Sequence, residues 1–128
     1  MEDRYWPFPV LPPGQQTPLH KQQVCFLEAA YNEGFRPFVF GSDNYQATAA
    51  DRGGTILVRT RQFWEVSVGT PDREFLSAYV DSFAVAGEAV LRWLRGGRLP
   101  DILEFTRPHL VQVPSRPTGY RLSEAADM

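Results

Sequence analysis

Between residues 53 and 95 the chain runs through short β-favouring stretches separated by turn signals, then switches to helical spacing. Gly53-Gly54 reads as a turn leading into Thr55-Ile56-Leu57-Val58-Arg59-Thr60, with Phe63-Trp64-Glu65-Val66-Ser67-Val68 next. Thr70-Pro71-Asp72 is a second turn, and Phe75 to Val80 a third apolar run. Three such strands in succession can pair only as neighbours joined by tight turns. From Ser82 onward Phe83, Ala86, Val90, Leu91 and Leu94 repeat at helical spacing. Residues 71–95 also fit one long helix opening at Thr70-Pro71. Gly87, the β-favouring Tyr79-Val80 pair and the Asp81-Ser82 cap favour strand 74–80 followed by helix 83–95. The pattern predicts the α+β class, an antiparallel β meander with two main helices packed on it.

The first of those helices starts at Thr17-Pro18, a capping hydroxyl ahead of proline at the first helical position, and stops at Gly34. Leu19, Val24, Phe26, Leu27, Ala30 and Tyr31 supply its apolar face. Phe38-Val39-Phe40 reads as a buried strand and Ser42-Asp43-Asn44 as a turn. Tyr45, Ala47 and Ala49 alternate with polar residues, and Asp51 to Gly54 would close a hairpin into the meander. Gly96-Gly97 ends the second helix. Leu110 to Val113 suggests a last strand within a tail broken by Pro114, Pro117 and Gly119. Residues 1–16 carry Tyr5, Trp6, Phe8 and four prolines, so they form an extended arm whose aromatics can pack on the domain or on a partner. Residues 17–128 make a single α+β domain.

A chain of 128 residues can bury about two-thirds of its unfolded surface in one core. Its formal charge of −2 supplies no global field drawing it to nucleic acid or an anionic membrane. One cysteine precludes an intrachain disulfide, no apolar run reaches bilayer length, and the N-terminus lacks a signal-peptide pattern. These features lead to the expectation of a cytoplasmic protein.

Chemistry-bearing motifs are sparse. His20 and His109 stand apart from any cysteine or carboxylate at dyad spacing, and Cys25 next to Phe26 reads as a small buried hydrophobe. The glycine pairs sit in neither a P-loop nor a dinucleotide fingerprint. Glu65, Asp43, Asp51 and Asp72 have arginine neighbours such as Arg59 and Arg61, which makes cross-strand ion pairing more economical than carboxylate catalysis. No catalytic, cofactor-binding or metal-binding residue is therefore assigned, and no cofactor is expected. Every basic residue but Lys21 is arginine. Arg92, Arg95 and Arg98 cluster around the second helix terminus, where the helix dipole favours cations and an acidic partner surface could also dock.

The order of helix ending at Gly34-Phe35, Trp64 strand, Ser82 cap, Gly96-Gly97 stop, Arg98, Leu99-Pro100 and Gly119-Tyr120 resembles the immunity-protein family that includes the antitoxin of the tuberculosis necrotizing toxin. The likeness spans residues 24–122. It implies a non-catalytic bacterial antitoxin that binds a cognate toxin one to one, in the best-known case an NAD-glycohydrolase. Binding of that kind rests on a few aromatic and arginine anchors. Trp6, Phe8, Arg61, Arg92 and Arg95 are the partner-binding candidates, with Trp64 and Trp93 assigned to the core. The competing reading is a secretion chaperone or interaction adaptor, which would hold an extended segment in an exposed apolar groove.

Overall fold

The computed structural model describes residues 4–5, 12–41, 43–60 and 62–123. In chain order they form β1 (Arg4–Tyr5), α1 (Pro18–Asn32), β2 (Arg36–Phe40), β3 (Asn44–Ala49), β4 (Arg52–Val58), β5 (Trp64–Thr70) and β6 (Arg73–Val80). After these come α2 (Phe83–Leu94), α3 (Leu99–Thr106) and β7 (Tyr120–Leu122). The strands make one seven-stranded antiparallel sheet whose spatial order equals chain order. This is the expected α+β meander, with α3 joining the two foreseen helices.

Local signals set the helix boundaries. Thr17 Oγ1 accepts the His20 N–H at 3.0 Å, and Ser82 Oγ accepts the Val85 N–H at 3.3 Å. Each hydroxyl satisfies a donor left over in a first turn. The Ser82 cap separates β6 from α2, so strand and then helix, rather than one long helix, occupy 73–94. At the far end Gly96 takes φ +100° and the Gly97 N–H reaches the Arg92 carbonyl at 2.9 Å. That paired closure is a Schellman stop, and α1 ends the same way at Gly34-Phe35.

The Gly53-Gly54 pair does not turn the chain. Both glycines lie inside β4, and the turn is Ala50-Asp51, with Ala50 at φ +54°. What requires glycine is the approach of α2. A Cβ on Gly54 would sit 2.6 Å from Cγ1 and 3.0 Å from Cγ2 of Val90. The helix thus seats directly on the strand backbone.

Phe83, the first residue of α2, is the hub of the aromatic core. It is fully buried, with edge-on ring contacts to Tyr45 at 5.3 Å and to Phe26 and Trp64 at 6.3 Å. Burial and its acidic neighbour Asp43 push the Tyr45 phenol up to about 12. Trp93 donates its Nε1–H to the Gly69 carbonyl at 2.8 Å and meets Phe75 edge-on. Both tryptophans assigned to the core, Trp64 and Trp93, are buried. Phe75 has no partner across the β-bulge at Val68/Gly69, and the extra residue lets Phe75 and Leu76 both bury. Arg52 closes this corner. Its Nη1 donates to the carbonyls of Trp93 (2.8 Å) and Gly97 (2.7 Å) while the guanidinium lies 3.9 Å from the centre of the Trp93 ring. One cation therefore caps α2 and stacks on its last aromatic.

Two further expectations are corrected. Leu110 and Val113 take part only in isolated bridges, and the last strand is β7 beside β6. Pro114 and Pro117 lack the N–H groups a ladder would need there. Cys25 is exposed rather than buried, because α1 turns Gln23, Phe26, Leu27 and Ala30 inward and leaves Cys25 outside that stripe. Of the expected arm, Arg4–Tyr5 pairs with Val39 and Phe38 at the sheet edge. Among the described residues no helix is long and apolar enough to cross a membrane.

Candidate functional site

Strand pairing arranges side chains in rows across the sheet. With α2 over Gly54, Ile56, Val66 and Ala78, the alternate residues form the opposite, helix-free face. One row on that face runs Phe40, Asn44, Leu57, Glu65, Tyr79. Its neighbour runs Phe38, Gln46, Thr55, Ser67, Ser77, Arg121. Hydroxyl and amide groups occupy the centre, with aromatic residues towards both sides. The β5–β6 turn rises beside this floor, and Gln46, Thr48, Thr55, Ser67 and Arg73 line a depression of about 390 Å³.

At the β6 side of the face lies a charged cluster around Glu65, which is only 4 % exposed. Ser77 Oγ donates to Glu65 Oε2 at 2.5 Å, and the Arg59 Nε–H and Nη2–H both reach Oε1. Arg116 Nη1 bridges Ser77 Oγ at 2.8 Å and Glu65 Oε2 at 3.3 Å. Burial opposes ionisation of Glu65. The hydrogen bonds from Ser77 and Arg59, with the charges of Arg59 and Arg116, outweigh that and hold its carboxyl below the ordinary value. The same bond to Glu65 holds the Arg59 guanidinium above its usual range. Arg116 also lies 4.1 Å from the centre of the Tyr79 ring, whose neighbour is Phe63 at 5.2 Å. The main chain locks the same segment down: the Tyr79 N–H donates to Gly119 and the Val111 N–H to Tyr79, each at 2.8 Å. Residues 111–119 thus form a hook beside β6, with Arg116 reaching to the charged cluster.

The ion pairing of Glu65 with Arg59 is what the sequence indicated. The parts played by Ser77 and Arg116 were not visible there, since Arg116 comes from a distant irregular segment. A second unforeseen pairing is His109 Nδ1 with Asp81 Oδ1 at 3.2 Å, both exposed. It sits where the Asp81 N–H donates to the His109 carbonyl.

Of the five partner-binding candidates, Trp6, Phe8 and Arg61 lie outside the described residues. Arg92 and Arg95 are exposed but engaged within the chain. Arg95 grips both oxygens of Glu33 at 2.6 Å and so ties the end of α2 to the end of α1. That bond holds the Glu33 carboxyl below its usual range and the Arg95 guanidinium above its own. Arg92 bonds Glu88 at 3.0 Å and lies 4.0 Å from the Phe105 ring centre on α3. These two arginines do not join the cluster on the open sheet face. Between α1 and α2 a separate groove of about 400 Å³ is lined by Cys25, Phe26, Ala29, Ala84, Gly87 and Leu91, with Lys21 and Glu88 also at its walls. Among the described residues no three histidine, cysteine, aspartate or glutamate side chains come together as a metal site would require.

No protein-family model matches this chain, and neither a curated protein nor a solved structure is detectably similar to it.

Proposed function

We propose that this chain acts by binding another protein, as an immunity protein that blocks a cognate toxin. The observation that carries the reading is the helix-free sheet face. At the β6 side Glu65 and Ser77 are buried, so the open part runs from β2 to β5, three strand spacings by about six residues, roughly 14 Å by 20 Å. That is under half of the roughly 800 Å² per partner of a standard interface, so the loops flanking the face would have to supply the rest. Its centre offers hydroxyl and amide groups on a rigid floor, and Phe40, 52 % exposed, stands at one side. A preformed surface of this kind loses little entropy on docking. The family resemblance carried by Gly34-Phe35, Trp64, Ser82 and Gly96-Gly97 points the same way and suggests an NAD-consuming toxin as target.

The test is co-expression with a toxin domain encoded beside this gene, following survival, cellular NAD and complex formation. Rescue with a one-to-one complex is expected, and Thr55→Arg at the centre of the face should weaken that complex at least ten-fold. Neither rescue nor complex would overturn the reading. A secretion chaperone or adaptor is the second reading, favoured by the apolar groove between α1 and α2. There Ala84→Arg, rather than Thr55→Arg, would abolish binding.

A further inference from the structure

The hook formed by residues 111–119 leaves a cavity of about 390 Å³ against β6 and β7, lined by Tyr79, Ser115, Arg116, Thr118 and Arg121 among others. Two guanidinium groups line one space, and none of the described residues lining it carries a carboxylate. Arg116 is already fixed there. Its side chain is 11 % exposed, the Tyr79 ring backs it, and Ser77 and Glu65 engage it through Nη1. Arg121 bonds Glu74 through Nη2 at 3.0 Å. Among the described residues Arg59, Arg116 and Arg121 pair with Glu65 and Glu74 alone, which leaves this described cluster one positive charge in excess.

We propose that this cavity binds an oxyanion, a carboxylate or a phosphate, between Arg116 and Arg121. A guanidinium presents five donors in a fixed fork, and among the described residues Arg116 donates through Nη1 and Arg121 through Nη2, which leaves the other nitrogens of each fork to meet an anion. Because Arg116 is immobilised by its other contacts, little side-chain entropy is lost when an anion enters. The excess charge favours an anion, and the Ser115 hydroxyl adds a donor at the wall. Two sources can supply that chemistry, an acidic side chain of a docked protein or a free oxyanion. The first rests on the docking reading above; the second stands without it.

The experiment is an NMR titration of the full chain with inorganic phosphate, then with acetate, at constant ionic strength. Saturable shifts are expected at the amides of Ser115, Thr118 and Arg121 and at the Arg116 Nε–H. The exposed Arg98, at the start of α3, should not follow them. Arg121→Gln lies on an exposed edge and leaves the fold intact; it should weaken the apparent affinity about ten-fold or more. Arg116→Lys, which keeps the charge but loses the fork, should weaken it as well. Shifts that stay linear with concentration, that are equal in Arg121→Gln, or that track those of Arg98 would overturn the proposal. Release of a bound partner protein by phosphate would assign the occupant as that partner's carboxylate. Saturation with no effect on an existing complex would assign a free oxyanion and leave both the site and the docking reading standing, whereas saturation with no complex at all would leave the site standing while the docking reading falls.

Discussion

Replacing Glu65 by glutamine tests whether the charged cluster holds the hook onto the sheet. The carboxylate accepts from Ser77, Arg59 and Arg116, and the last of these is nearly as buried as Glu65 itself. An amide keeps the shape but offers one acceptor oxygen and turns an NH₂ towards a guanidinium. Breaking a buried pair so that one charge remains unmatched costs about 3–5 kcal/mol. Arg59 is 46 % exposed, so water screens its share to about 0.5 kcal/mol. The retained amide oxygen offsets part of the Arg116 loss, and about 3 kcal/mol is the expected total. Urea unfolding followed by the fluorescence of Trp64 and Trp93 measures it. Amide exchange locates it: Tyr79 and Val111, which hold the hook, should lose protection before the α2 amides do. The pH dependence has a definite sign. The folded-state carboxyl lies below the ordinary value of 4.5. Its contribution is therefore complete above that pH and fades as pH falls through the lower, folded value. The stability gap between wild type and Glu65→Gln should consequently narrow as pH falls below 4.5. A loss under about 1 kcal/mol, unchanged Tyr79 and Val111 protection, or a gap that stays constant on acidification would refute the argument.

Four further outcomes follow from the packing. Gly54→Ala drives a methyl into Val90 and should cost about 1–3 kcal/mol, with Gly54→Ala/Val90→Ala less destabilised than the sum of the single changes; additivity would show that α2 does not rest on β4. Ala50→Gly relieves a left-handed alanine and should raise stability by about 0.5 kcal/mol in the same assay, whereas a loss would contradict the turn geometry. Arg52→Met removes two charge-assisted bonds to carbonyls and should lower stability by about 2 kcal/mol, read as a fall in the unfolding midpoint. Cys25 should react with a maleimide in the native protein to one equivalent, with no change in the circular dichroism; protection until unfolding would place it in the core after all.

The sequence was legible where structure is decided within a few residues. Thr17 and Ser82 cap helices because hydroxyl and first-turn N–H lie three residues apart. Gly34 and Gly96 stop them because only the next residues need rearranging. Alternation from Tyr45 to Val80 set out the meander, and the Glu65–Arg59 pair could be read from their closeness in sequence, with Arg59 just past the end of β4. Features imposed from a distance were not legible. The demand for glycine at position 54 comes from Val90, so the Gly53-Gly54 pair looked like a turn, while the true turn lies at Ala50-Asp51. α3 was missed although Leu99-Pro100-Asp101 carries a proline start and a first-turn acid, the signal that could have found it. The exposure of Cys25 depended on how α1 is rotated against α2, which Phe26 and Gly87 settle together. The open-face site needs Arg116, and no local pattern ties that residue to Glu65.

Because strand order equals chain order, β1 and β7 are the two outer strands of the sheet. Six inter-strand spacings separate them, roughly 29 Å measured along the sheet. Many single domains have ends close enough to be joined by a short linker and reopened elsewhere. Here β1 and β7 stand at opposite edges, so a connector joining these two strands would have to run across a whole sheet face or around the helices. Each chain end also shields a β-edge, and β1 does so with only two residues. Trimming either end would expose the backbone of β2 or β6 as a template for pairing with a second copy.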